Sequence, residues 1–418
     1  MKKWNKTLAI LMTAFILIGV FTVGCAKTAA PPQPTGPITI NIGTPVPLSG
    51  PAANWGNVPT PFYNAFLELF NKEGFKVNGQ TYNFKLIQVD DQNTPEGGAA
   101  AAKQLIEGDK CAAIVGHWSW NFPTVSDVTN KAKVILICRN GNEAVPKSWG
   151  GLYDPQTMPY VVFGHPSQEE WLLDALAIVK AIPDYKVLGI LDSTIGQGAG
   201  WDNVDSALEA AGVKFHHEWY TPGTADFTPY ITRMGDAGVG VVFTAGDVGS
   251  AMLFAKQRWQ AGYTNMRVGH SGPILDPAIY IAVCGRDASQ GLIGSYYAPW
   301  DFKETQVNPK WITMCQDAMN MVSQQKGKPY VYTGGIGWLP TQAMILAQAM
   351  EKAGTVSDPD AIMQAIRGGT FDTPIGTFTM SGEKTYGAAV VFGNPNAISE
   401  IQGDKEVYLS EQTWKPIP

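Results

Sequence analysis

The sequence predicts an α/β protein of two lobes, each a mainly parallel sheet flanked by helices. Three observations predict it. Apolar segments of five to seven residues alternate with longer segments of helical period. The alternation runs twice along the chain, in two stretches of roughly 120 residues. Most of the short segments are nearly continuous in apolar residues, as expected of strands buried on both faces.

The first stretch begins at ITINIG (38–43), a strand. Residues 61–72 follow as a helix, with Phe62, Phe66, Leu69 and Phe70 on one face and Gly74 as its stop. FKLIQVD (84–90) is the second strand. Thr94 and Pro95 then open a helix as N-cap and first helical residue. AAIVG (112–116), a helix from about Phe122, and VILIC (134–138) continue the series.

A second series follows Tyr160–Phe163. It reads helix 168–182, strand 186–191, helix 201–211, strand 214–220, helix 227–237, strand 240–245, helix 250–261 and strand 266–270. GLIGSYYA (291–298) restarts a strand. Helices at about 308–326, 336–353 and 358–367 then precede a β-rich end. Ligands of such sheets bind beyond the carboxyl ends of the strands, so the cleft between two facing lobes is the expected site.

The 418 residues are 45 % hydrophobic and 16 % charged, which excludes a disordered or collagen-like chain despite 45 Gly and 29 Pro. The net charge of −6 argues against a nucleic-acid binder. Lys2, Lys3 and Lys6 are the only charges before residue 25, so the remaining chain carries −9. These lysines precede an uncharged run, Leu8–Val23, and then Gly24-Cys25. A basic start, a short apolar core and a small residue at the boundary describe an export signal over residues 1–24. As a helix the run reaches about 24 Å, short of the roughly 30 Å needed to span hydrocarbon. The Gly-Cys boundary resembles the lipobox of bacterial lipoproteins, with Thr22 where a Leu is usual. It implies cleavage before Cys25, diacylation of its thiol and a membrane-anchored, exported protein. Residues 26–37, with four prolines in twelve residues, read as an extended tether.

Cys111, Cys138, Cys284 and Cys315 match no metal-ligand spacing and are expected as buried thiols, although export would permit disulfides. Nor does the sequence hold a catalytic signature. Gly196–Gly200 lies between a strand and a helix but lacks the third glycine of a dinucleotide loop. GxxxxGK[ST] and GxSxG are both absent. His216 and His217 are adjacent in a strand and point to opposite faces, so they cannot easily chelate together. His270 follows a glycine at a strand end, where it either meets ligand or bonds backbone. The Asp90-Asp91 pair is expected to cap loops. No cofactor, metal or catalytic residue is expected. An exported enzyme on the same architecture is the competing class, and it would require a nucleophile–base pair.

The strongest local signal is HWSWN (117–121) at the end of the third strand. Trp118 and Trp120 offer an aromatic wall, Ser119 a hydroxyl, and the following helix its free N–H groups. RNGN (139–142) adds one cation and turn-forming amides.

These residues, with IGTPVPLSGPAANWG (42–56), VDDQNTPEGGAAAAKQLI (89–106), GTADFTPYITRM (223–234) and GLIGSYYAP (291–299), resemble the branched-chain amino-acid (Leu/Ile/Val) binding protein family of ABC importers. The resemblance covers roughly residues 38–400 and implies a type I periplasmic-binding-protein fold with sheet order 2-1-3-4-5 in both lobes and a three-segment hinge. The expected N-terminal lobe comprises 38–160 and about 291–372, and the C-terminal lobe 161–290 and about 373–418. The expected partners are a small solute, permease subunits and the membrane through Cys25, with the protein itself monomeric.

Carried over by position, Trp55 matches an aromatic beside the ligand, and Ser119–Trp120 the loop that holds its carboxylate. Gly141 and Asn142 match the next donor loop. In the second lobe Ile195 stands where a Tyr is common, Asp247 where another aromatic is frequent, and Ser271 where a Glu usually pairs with the ligand's ammonium. A buried ammonium without that partner costs several kcal/mol. The expected solute is therefore a small carboxylate or amide with an aromatic ring, stacked among Trp55, Trp118, Trp120 and Tyr297, with Arg139 as carboxylate partner. An amino acid compensated by Asp247 is the alternative, as is a sensor module serving a signalling partner.

Overall fold

Every second residue of ITINIGTPV turns to the core early in β1 (Ile38–Val46), and both faces are covered by its end. The computed structural model describes residues 36–50, 52–117, 121–139, 152–164, 167–194, 201–245, 248–274, 276–296, 307–330, 338–393 and 397–411. The export signal and Cys25 lie outside these residues.

β1 pairs in parallel with β3 (Gln80–Asp90) and with β4 (Ala113–His117). β5 (Ile135–Cys138) and β6 (Val161–Phe163) extend the sheet in parallel. β2 (Phe75–Val77) adds an antiparallel edge, giving the order β2-β3-β1-β4-β5-β6. The second sheet contains β7 (Val187–Ser193), β8 (Phe215–Tyr220), β9 (Val239–Thr244), β10 (Arg267–Pro273) and β11 (Ile293–Tyr296). β12 (Thr370–Thr373) and β13 (Gly376–Thr379) form a separate hairpin. β14 (Ala397–Gln402) and β15 (Lys405–Glu411) close the second sheet antiparallel, in the order β15-β14-β11-β10-β9-β7-β8. Apart from these edges, each sheet has the expected order 2-1-3-4-5.

Most helices bury one face against these sheets, whereas Leu339–Ala353 is buried on all sides over its first nine residues. Thr60–Phe70 buries Phe62, Tyr63, Phe66, Leu67 and Phe70 in the first lobe. Fully burying one such side chain contributes about 1.5–3 kcal/mol. Pro95–Lys103 begins as the sequence predicts, with the Thr94 hydroxyl accepting the Gly97 N–H at 3.0 Å. In the second lobe the period of two along a strand divides the core. Val241 and Phe243 of β9 enter a cluster with Trp171, Ile178 and Ile190, whereas Val242 between them enters one with Leu191, Phe254 and Tyr280. Both faces of the sheet are therefore covered at its centre, and the central strands β7 and β9 are accordingly mostly apolar.

Sheet membership moves the lobe boundaries from those expected. Val161 pairs with Leu136, so β6 closes the first sheet instead of opening the second. Ile293 pairs with Gly269 of β10, so β11 belongs to the second sheet. Residues 386–392 contribute Tyr386, Val390, Val391 and Phe392 to the first lobe's core, and Phe392 donates its N–H to the Phe163 carbonyl at 3.0 Å. A three-residue apolar strand carries no sequence mark of which sheet it joins; only its neighbours decide. The chain thus crosses between sheets three times, after β6, after β11 and before β14. The linking residues 165–166, 297–306 and 394–396 lie outside the described set. β2 and the helices Pro277–Cys284 and Arg286–Ser289 add to the elements expected from the sequence.

Candidate functional site

The carboxyl ends of the first sheet's strands are built by polar anchors and close packing. Asp90, at the end of β3, accepts the Leu48 N–H at 2.9 Å and the Gln92 N–H at 3.0 Å. Desolvation opposes its ionisation, but the bonds from Ser49, Leu48 and Gln92 together hold its carboxyl below the ordinary range. Asp91 is buried, and burial raises its pKa. It accepts the Asn93 N–H at 2.8 Å and the Asn121 side-chain amide at 3.0 Å. The two aspartates cap loops, as expected, and make no carboxylate dyad.

β4 ends in a bulge. Its register against β5 shifts between Val115 and His117, and Gly116 takes φ +70. That left-handed conformation strains any other L-residue and turns the chain out of the strand. The Gly116 N–H donates to Oε1 of Gln342, a fully buried residue in the first turn of the helix Leu339–Ala353. Trp338, 1 % exposed, precedes that helix.

Arg139 follows β5 and is 5 % exposed. Its guanidinium carbon lies 4.9 Å from the centroid of the Trp338 ring. On that geometry the indole stabilises a buried cation. Trp55, in the short helix Asn54–Asn57 after β1, stands with its ring centroid 6.2 Å from that of Trp338, the planes 39° apart. It packs on the hydrophobic clusters of both lobes. Its Cη2 comes 3.6 Å from where a Cβ on Gly272 would stand. Ile279, in Pro277–Cys284, likewise touches both clusters. The lobes therefore meet at Trp55 and Ile279, and Trp55 neighbours the Trp338 ring that the Arg139 guanidinium covers.

On the second lobe, Ser271 and Gly272 lie in β10. Ser271 Oγ donates to the Ala245 carbonyl at 3.5 Å. His270 is buried, its Nδ1–H donating to the Ser271 carbonyl and its Nε2 accepting from the Tyr280 hydroxyl, both at 3.1 Å. A carbonyl can only accept, so the tautomer follows from the partners. Burial pushes its pKa down to about 4, leaving a neutral ring at neutral pH. Of the two arrangements open to His270, the structure places it in the backbone-bonded one. Asp192, near the end of β7, accepts the Trp201 indole N–H at 2.6 Å and the Ser193 N–H at 2.7 Å; burial raises its pKa to about 6.

Trp55, Arg139, His270 and Ser271 are thus placed. Trp118, Ser119, Trp120, Gly141, Asn142, Ile195, Asp247 and Tyr297 lie outside the described residues. Sequence reasoning overlooked Trp338 and Gln342. The signal for them was the Leu339-Pro340 start of a helix, which marks Trp338 as the residue turning into it. Among the described residues no group of three or more His, Cys, Asp or Glu is placed to hold a metal ion, and no helix is long and apolar enough to cross a membrane.

Comparison with known proteins decides the family. A family model described as periplasmic binding protein matches residues 39–390. The chain belongs to the periplasmic binding protein family. This binding protein is 26 % identical over 348 residues to the Leu/Ile/Val-binding protein homolog 3 of Brucella melitensis, covering 82 % of this chain and 87 % of that one. It is 26 % identical over 385 residues to the leucine-, isoleucine-, valine-, threonine- and alanine-binding protein of Pseudomonas aeruginosa, covering 90 % and 92 %. Its fold is shared by a solute-binding protein of an ABC transporter from Rhodopseudomonas palustris, solved with p-hydroxybenzoic acid, at TM-score 0.68, 19 % identity and 90 % and 97 % coverage. Members of this family bind small-molecule solutes outside the cytoplasm and work with permease subunits.

Proposed function

We propose that this binding protein captures a small aromatic carboxylate by closing its lobes around it. The observation that carries this reading is the buried Arg139 guanidinium on the face of Trp338, with Trp55 beyond it at the meeting of the lobes. A planar acid beside this array meets two kinds of complementarity. Its ring stacks on indole, and its carboxylate takes charge-assisted bonds from the guanidinium, about 1.5–3 kcal/mol each. The segments after β4 and β5, residues 118–120 and 140–142, would add the Ser119 hydroxyl and backbone amides. Ser271 supports the same reading, because the position where an α-ammonium would seek a Glu carries a hydroxyl directed at the Ala245 carbonyl. The R. palustris protein solved with p-hydroxybenzoic acid indicates that a fold of this kind can accommodate such an acid.

A second reading, a branched-chain amino acid with Asp247 pairing its ammonium, is favoured by the ligands in the names of the two curated relatives. Thermal-shift screening of both ligand classes separates them. Stabilisation by benzoate-type acids supports the first reading; stabilisation by leucine or valine but by no aromatic acid overturns it.

The proposed cellular arrangement is a monomer held to the membrane by diacylated Cys25 through the Pro-rich tether. Two acyl chains give stable anchoring where one does not. Cys25→Ser should move the protein from the membrane fraction to the soluble fraction, and an unchanged distribution contradicts the anchor.

A further inference from the structure

We infer that Trp338 sets the preference of the site for an ionised ligand by holding Arg139, and so acts as a positioning residue. The inference rests on the aromatic-carboxylate reading above and names the residue that enforces it. Arg139 has a long side chain, 5 % exposed, and the ring packed on a buried guanidinium helps to fix its plane. The Trp338 indole lies 4.9 Å from the guanidinium carbon, and Trp is the strongest of the aromatic partners for a cation. Trp338 is itself fixed from several directions. It is 1 % exposed, it belongs to the core of the first lobe, and its ring is 6.2 Å from Trp55. The helix it precedes is tied to the end of β4 by the Gln342–Gly116 bond. Trp338 thus connects the cation of the β5 end with the tryptophan that reaches the second lobe, on a helix that Gln342 ties to the bulge of the β4 end. A change at Trp338 should alter how Arg139 meets a carboxylate, beyond its effect on packing.

The test is calorimetric titration with benzoate and with benzamide, which share size and ring but differ in charge. Wild type is compared with Trp338→Leu and Trp338→Phe, and the unliganded melting temperature is recorded for each. Loss of cation–π support predicts that Trp338→Leu lowers the benzoate-to-benzamide affinity ratio about tenfold, while Trp338→Phe keeps most of it. A purely structural role would weaken both ligands alike and leave the ratio unchanged in both variants, which overturns the inference. If Trp338→Leu does not fold, Trp338→Phe against Trp338→Met decides, with the ratio kept in the first and lowered in the second. Wild type that binds neither probe overturns the aromatic-carboxylate reading and the inference with it. Wild type that prefers benzoate, with variants that prefer it equally, overturns the inference alone.

Discussion

Trp55 of the first lobe places its Cη2 3.6 Å from the position a Cβ would take on Gly272 of the second. Gly272 has φ +103, a conformation that strains any L-side chain whatever the space around it. Gly272→Val therefore combines about 1–3 kcal/mol of backbone strain with bulk aimed at Trp55. The expected result is weaker solute binding and a more open solution shape by small-angle scattering at saturating solute. Unchanged affinity and shape would mean that the contact does not take part in closure.

Two buried groups should titrate in opposite senses. The folded pKa of Asp192 is raised to about 6 from 3.8, so the native state holds the proton longer than the unfolded chain. Its contribution to stability therefore falls as pH rises from about 4 to 6, by about 3 kcal/mol in total. His270 is lowered to about 4 from 6.5, so the unfolded chain binds protons first as pH falls. Its contribution grows as pH rises over about 4 to 6.5, by a similar amount. The two nearly offset in wild type. Urea unfolding from pH 4 to 7 should show Asp192→Asn gaining stability relative to wild type as pH rises, and His270→Gln losing it. Parallel profiles for all three proteins contradict this pairing.

Gln342→Leu removes the acceptor of the buried Gly116 N–H. An orphaned buried donor costs about 1–3 kcal/mol, which denaturant unfolding would register. A variant as stable as wild type would mean that the amide finds another partner.

Cys111, Cys138, Cys284 and Cys315 are free and buried, and burial raises each thiol, Cys111 to about 12 and Cys284 to about 11. Iodoacetamide at pH 7.5, an ordinary alkylation condition at which thiols with pKa ≈ 8–9 react, should leave all four unmodified in the native protein and modify all four in denaturant. A reductant should not change the melting temperature.

Much of the architecture was legible in the sequence because buried parallel strands and amphipathic helices write different periods. What was misread has local causes. β2 is only three residues long, although Asn78-Gly79, with φ of 50 and 82, is the turn signal of a tight hairpin and marked it. β6 is apolar throughout, so nothing in Val161–Phe163 distinguishes one sheet from the other. At the site, Trp55 and Arg139 were recognisable from their loops at strand ends. Trp338 was not, because it approaches Arg139 across some 200 residues of chain and only folding brings the indole under the guanidinium. His270 has the sequence context of a ligand contact, yet Tyr280, ten residues on, takes the nitrogen that a ligand would need.

The measurement that bears most directly on function is calorimetric titration of protein stripped of bound solute, with p-hydroxybenzoate in one experiment and leucine in another. The predicted result is saturable binding of the aromatic acid, lost in Arg139→Ala, with leucine silent. Saturable binding of leucine with no response to the aromatic acid would contradict it.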